Sequence, residues 1–341
     1  MTTYPTLFIT HRGARHQQAA LQGAPPELEI TMLRDPSKED IVQHLPGKRI
    51  LITERAQPID AQIIAAGDEL ELVQRLGSQT YDIDLAAARA AGIPVCYQPI
   101  GTTIMVAEHM LLQLLALAKR LREAMHAVTL DQDWGMPPKR CTEDHFVVDF
   151  THRQGIGTLY HQTVGILGFG EIGIELARRL KGFECTVLYN KRSRLPETAE
   201  RDLAIHFASQ DDLARASDYL CILLPYSPET EEFIDKDFIA MMKAGACIVN
   251  CGGSPLLNEA DVRDALASGR LGGVASDTFV WEPIRQDNPL LDLARVPDSN
   301  MLLTGHTASG SLEAAGLPER FVDYTNIRRW MAGEPLLFQV A

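Results

Sequence analysis

The stretch TVGILGFGEIGIELARRLKGF, residues 163–183, decides the fold. An apolar run, Thr163 to Leu167, leads into Gly168, Gly170 and Gly173 at G-x-G-x-x-G spacing, and a helical pattern opens near Glu171. A glycine triplet carries weight when it stands between a strand and a helix, as it does here. The first glycine permits the tight turn, the second lets a pyrophosphate approach the backbone, and the third brings helix and strand together. Backbone N–H groups at the helix start, those of Glu171 and Ile172 among them, then face the phosphates with the helix dipole behind them. A dinucleotide site is the reading, with a glycine-rich structural turn as the alternative.

Working outward, the segments CTVLYNKRS, AIHF, YLCILLP, CIVNCGG, GGVASDTF and MLLTGH follow. With the first strand they give six or seven strand candidates and suit a six-stranded doubly wound sheet. Upstream, Thr6 to Thr10, Arg49 to Thr53, Leu70 to Leu76 and Ile93 to Cys96 read as strands, with helical segments such as Ile41 to His44 and Ile83 to Ala91 between them. The fold class is therefore α/β. One long helix is expected from Met105 to about Thr129, and a loop excursion without clear period from Asp131 to Gly157. A further helix, Leu312 to Met331, is expected to return to the first domain.

The second strand's end selects the nucleotide, because a carboxylate there accepts from the ribose hydroxyls whereas cations pair with a 2′-phosphate. Tyr189 to Arg194 contains no carboxylate and offers Asn190, Lys191, Arg192 and Arg194. NADP is the favoured cofactor and NAD the second choice, unless these cations form a merely solvated turn.

Composition bounds the rest. The chain has 341 residues, of which 45% are hydrophobic and 23% charged, with 45 acidic against 32 basic side chains and a net charge of -13. A mean hydropathy of -0.08 and a pI near 5.2 describe a globular chain with room for two domains. Its field repels phosphate backbones and anionic bilayers, so neither nucleic acid nor membrane is an expected partner. The apolar stretch Met110 to Ala118 contains Gln113 and is too short to span a bilayer. Six cysteines show no CxxC pair and no zinc spacing, so buried free thiols, no metal site and a cytoplasmic location are expected.

Several segments in order resemble the D-isomer-specific 2-hydroxyacid dehydrogenase family. TTIMVAEHMLLQLLALAKR (102–120) is similar to its interdomain helix, LLPYSPETEEFIDKDFIAMMKAGACIVNCGG (223–253) to its fourth and fifth cofactor-domain strands, and GRLGGVASDTFVWEP (269–283) to its penultimate signature. The resemblance implies two Rossmann-like doubly wound domains with the active site in the cleft between them. The substrate domain would be 1–104 plus 308–341 and the NAD(P)-binding domain 105–307. It further implies hydride transfer with His306, in LLTGHTASG, as acid/base and Glu282 as its partner. Histidine suits the role because its ordinary pKa, about 6.5, lies near working pH. Pro225, Cys251, Gly252, Asp277 and His306 itself would touch the cofactor, Asp277 at the nicotinamide carboxamide. Ser78, Gln79 and Thr80 would cradle the substrate.

Three departures accompany the match. Where the family pattern N-x-x-R-G has its arginine, the sequence Asn250-Cys251-Gly252-Gly253-Ser254 has Gly253; Gln79 stands where a second glycine is usual; Gly305 replaces the proline before the histidine. The arginine's fork clamps the substrate carboxylate, and a charge-assisted contact of that kind contributes on the order of 1.5–3 kcal/mol. The expectation is a small-molecule oxidoreductase with altered substrate recognition. Lys139, Arg140, His145, His152 and Arg153 in the excursion are candidates to replace the lost cation. The competing readings are a lyase or isomerase that uses bound nicotinamide without net redox, and a cofactor-sensing binding protein. A homodimer is expected, as the family resemblance implies.

Overall fold

The computed structural model describes residues 3–310 and 320–341. The chain divides into two units, Met1–Gly101 with Ser311–Ala341, and Thr102–Gly310.

The first unit is built on five parallel strands: β1 (Tyr4–Thr10), β2 (Leu28–Arg34), β3 (Ile50–Thr53), β4 (Leu72–Leu76) and β5 (Val95–Gln98), in the order β2-β1-β3-β4-β5. Successive side chains of a strand point to opposite faces, and the core follows that period. Leu7, Ile9 and Leu51 pack on one side with Ile41 and Ile63, while Phe8, Ile50 and Ile52 pack on the other with Tyr324 and Ile327. Two covered faces are what an all-parallel sheet requires. Strand β2 is absent from the expectations above. It lies at the sheet edge, half-buried along its length, and Glu29 interrupts its apolar run. The segment after the helix Thr325–Met331 returns antiparallel along β5, with Tyr97 N–H donating to Phe338 O and Val340 N–H to Val95 O. The earlier part of the expected helix, 312–319, lies outside the described residues.

The second unit holds β6 (Thr163–Leu167), β7 (Thr186–Asn190), β8 (Ile205–Phe207), β9 (Tyr219–Ile222), β10 (Ala246–Asn250), β11 (Leu271–Ser276) and β12 (Met301–Leu303). Their order is β12-β11-β10-β9-β6-β7-β8, all parallel. The sheet is seven-stranded rather than six-stranded, because MLL pairs in parallel with β11. The strand order reverses beside β6, between β7 and β9, and the crevice at such a switch point is where open α/β sheets bind ligands.

The long helix is broken. Helical turns run Gly101–Ala118 and Leu121–Ala127, with Arg120 in the left-handed region at φ 47°. The returning end of the excursion explains the stop: Gly157 N–H donates to Ala118 O at 2.7 Å and Lys119 Nζ to Gly157 O at 2.8 Å. Arg120 then turns its guanidinium onto the buried Glu123 at 2.8 Å. By length and composition alone Gly101–Ala118 could cross a membrane, so the apolar stretch is longer than the sequence reading allowed. Its buried residues include Thr103 and Gln113, and Gln113 donates to Thr304, as expected of a core helix.

Candidate active site

The loop after β12 carries His306, and Asp277, just beyond β11, holds that loop. Asp277 O accepts His306 N–H at 2.8 Å, Oδ1 accepts the Thr304 hydroxyl at 2.5 Å and Thr307 N–H at 3.0 Å, and Oδ2 accepts Ala308 N–H at 2.9 Å. Asp277 is 1% exposed. These bonds offset the cost of His306 at φ 56°, a left-handed conformation on the order of 1–2 kcal/mol above the usual one for a residue with a Cβ. His109, from the helix Gly101–Ala118, adds a contact of 3.1 Å to Thr304 Oγ1 and one of 3.7 Å to Asp277 Oδ1.

Glu282 meets this histidine across 24 residues of chain. His306 Nδ1 lies 2.7 Å from Glu282 Oε2. The other carboxylate oxygen, Oε1, accepts Phe279 N–H at 3.1 Å and the Ser254 hydroxyl at 3.3 Å, which fixes the plane of the carboxylate. The pair the sequence pointed to is thus formed, with Ser254 as a third member that the sequence did not reveal. Nor did it reveal Thr304 and His109; no spacing rule joins residues 109, 277 and 304.

The turn at the end of β10 is tied to the same place. Asn250, fully buried, donates from Nδ2 to Ser276 Oγ and Thr278 Oγ1, and its Oδ1 accepts Gly252 N–H. Gly252 and Gly253 lie against the segment after β9: Gly253 N–H donates to Leu224 O at 2.9 Å. A Cβ at Gly253 would stand 2.4 Å from Tyr226 N, and one at Gly252 would stand 2.9 Å from Leu224 O. Both positions exclude a side chain unless the backbone moves. Burial and the neighbouring Asp277 push the Cys251 thiol well up, so it is a poor nucleophile.

The glycine loop after β6 fits a dinucleotide. Gly168 has φ 89°, and a Cβ there would lie 2.6 Å from Leu223 C. Gly170 caps the helix Glu171–Leu180 with no side-chain hydrogen bond, and a Cβ there would meet nothing within 4 Å, leaving an open approach to the helix start. Gly173 would bring a Cβ to 3.0 Å from the Phe169 ring. At the end of β7, the exposed Arg194 guanidinium makes two bonds to Glu200, at 2.9 and 2.8 Å, and Glu200 also accepts the Tyr189 hydroxyl. Asn190 Nδ2 donates to Ala208 O. Lys191 is half-buried and Arg192 exposed, as is Pro225 on the loop after β9.

Among the candidate replacement cations, Arg153 is committed to Glu123 and Asp298, at 3.5 and 2.6 Å. Lys139, Arg140 and His152 are exposed, and His145 is half-buried. Ser78, Gln79 and Thr80 belong to the first unit. Ser78 is buried there, and the turn is closed by Gly77 N–H donating to Gln98 O and Ile83 N–H to Thr80 O.

The profile of the D-isomer specific 2-hydroxyacid dehydrogenase NAD-binding domain matches residues 111–308. The chain belongs to that family. It is 31% identical over 323 residues to the glyoxylate reductase of Thermococcus kodakarensis, covering 91% of this chain and 88% of the relative. It is also 30% identical over 310 residues to the D-3-phosphoglycerate dehydrogenase of Mycobacterium tuberculosis strain H37Rv, covering 91% of this chain but 54% of the relative. The chain therefore spans about half the length of that dehydrogenase. Among solved structures, the NAD-dependent formate dehydrogenase from Staphylococcus aureus in complex with NAD aligns with a TM-score of 0.53 at 25% identity, covering 98% of both chains.

Proposed function

We propose that this family member is an NAD(P)-dependent oxidoreductase acting on a hydroxy or keto compound, with His306 as its acid/base. The observation that carries the reading is the 2.7 Å contact between His306 Nδ1 and Glu282 Oε2. A carboxylate on Nδ1 fixes the tautomer and leaves Nε2 to exchange a proton with the substrate oxygen. Asp277 acts through the loop, keeping His306 in its left-handed conformation, in addition to the cofactor contact the resemblance implies.

Gly168, Gly170, Gly173 and the N–H groups of Glu171 and Ile172 would hold the pyrophosphate, with Pro225, Cys251 and Gly252 lining the nicotinamide side. When bound, the reduced nicotinamide supplies the hydride that turns a carbonyl into a carbinol. The cations Lys191 and Arg192, in a sequence that carries no carboxylate from Tyr189 to Arg194, support NADP over NAD, and Arg194 bonds to Glu200 in this structure. Ser78, Gln79 and Thr80 are substrate-contact candidates on the strength of the resemblance.

All six cysteines are free thiols, which supports a reducing compartment such as the cytoplasm. Exposed apolar side chains on the second unit, Leu112, Met125 and Val128 with Phe146, Val148 and Phe150, support pairing with a second copy. Light scattering should give twice the chain mass of 37.7 kDa.

The test is absorbance at 340 nm with NADPH and with NADH against a panel of carbonyl compounds. His306→Ala should lower kcat/KM by about 10²–10⁴ while the protein still binds nucleotide, read by fluorescence. Full activity in that variant would overturn the reading.

A further inference from the structure

Thr304, two residues before His306, holds the histidine loop, and a second histidine holds Thr304. The Thr304 backbone carbonyl accepts His306 N–H at 3.1 Å, and the Thr304 hydroxyl donates to Asp277 Oδ1 at 2.5 Å. A hydroxyl carries one proton and two lone pairs, so with its proton given to the carboxylate this oxygen can only accept. Two side chains of the helix Gly101–Ala118 face it, His109 Nε2 at 3.1 Å and Gln113 Nε2 at 3.4 Å. The His109 proton is thereby placed on Nε2, because a bare Nε2 would set one acceptor against another.

The donations in this group all run toward Asp277. The Cys251 thiol donates to Gln113 Oε1 at 3.7 Å, which turns the amide N–H toward Thr304, and burial keeps that thiol protonated. Gln113 and His109 donate to Thr304, and Thr304 donates to Asp277. The Asp277 carboxylate, buried, ends the series and also accepts the N–H groups of Thr307 and Ala308, on the other side of His306. His109 Nε2 lies 3.7 Å from Asp277 Oδ1, which places its positive N–H end beside the buried negative charge. His306 at φ 56° stands above its ordinary conformation, so these bonds on either side are what keep it there.

We propose that His109 is a positioning residue for the reaction: by donating from Nε2 to Thr304 it directs the hydroxyl to Asp277, and so fixes the loop in which His306 meets Glu282. Gln113, four residues further along the same helix, supports it on the second lone pair. The inference rests on the oxidoreductase reading above and adds to it a residue 195 positions from Thr304 in the sequence. What matters in His109 is the donor and not the ring, which separates this role from packing.

The experiment measures kcat with saturating nucleotide and the carbonyl compound of the panel that the parent reduces fastest. His109→Phe keeps a flat ring and removes the donor, whereas His109→Gln removes the ring and keeps an N–H near the Nε2 position. His109→Phe should lower kcat about five- to tenfold, the scale of one neutral hydrogen bond, while His109→Gln stays within about twofold of the parent. On a Thr304→Val background, which has no hydroxyl to receive the bond, His109→Phe should cost less than about twofold more, because the two residues act through one contact. Tm and fluorescence titration check that each variant is folded and binds nucleotide, and the His109→Phe and His109→Gln pair decides the matter alone where Thr304→Val does not fold. Parental kcat in His109→Phe, a His109→Gln protein as slow as His109→Phe, or losses that multiply in the double variant would each overturn this inference and leave the oxidoreductase reading standing. A parent that binds nucleotide and reduces no compound of the panel would overturn both.

Discussion

Gly168 and Gly253 press against the same stretch of chain, Leu223 to Tyr226, for different reasons. At Gly168 both the dihedral, φ 89°, and the space, 2.6 Å to Leu223 C, demand glycine. At Gly253 the backbone is ordinary, with φ −58°, and only the 2.4 Å approach of Tyr226 N excludes a side chain. The first belongs to a turn whose local geometry is written into neighbouring residues. The second is set by a segment 27 residues away, so its glycine has no local signature.

The largest effect separating them is expected for Gly168→Ala, which meets strain and a backbone clash together. A loss on the order of 2–4 kcal/mol, with weakened nucleotide binding, should appear as a fall in Tm and in fluorescence titration. Gly253→Arg meets the clash alone and should cost about 1–3 kcal/mol without raising kcat/KM for pyruvate. A stable Gly253→Arg protein that reduces pyruvate well would show that Tyr226 yields, and would erase the distinction between the two turns. Ser254→Ala removes one hydrogen bond from Glu282 and should lower kcat several-fold at most, with Tm within about 1 °C of the parent.

The smallest effect concerns the nucleotide side. Arg194 holds the Glu200 carboxyl below its ordinary pKa. A lowered folded-state pKa gives stability that is present above the unfolded value, about 4.3, and lost as pH falls through the folded one. The Tm difference between the parent and Arg194→Ala should therefore be constant near pH 7 and shrink below about pH 4.

How far the sequence could be read follows the same division. The α/β class and most strands were legible because local period carries them, whereas the His306–Glu282 pair was expected only through the family resemblance, since its 24-residue separation follows no spacing rule. Strand β2 was not, since a half-exposed edge strand lacks a continuous apolar run. The helix break at Arg120 was hidden because its cause, the Gly157 N–H on Ala118 O, arrives from 39 residues downstream. The bond between Arg194 and Glu200, six residues on, was not legible, because no pattern in the sequence links the two. The bonds of Asp277 to Thr304, Thr307 and Ala308, which anchor the histidine loop, were not legible because they join residues 27–31 positions apart.

The most direct test of the central claim, that this site moves a hydride and His306 moves the accompanying proton, is deuterium tracing. With NADPH or NADH carrying two deuterons at C4 and a carbonyl compound that the panel shows to be reduced, mass spectrometry of the wild-type product should find one deuterium on the new carbinol carbon, and His306→Ala should form that product at least about a hundredfold more slowly. Product formed without deuterium and without loss of absorbance at 340 nm would contradict the account and point to chemistry with no net redox.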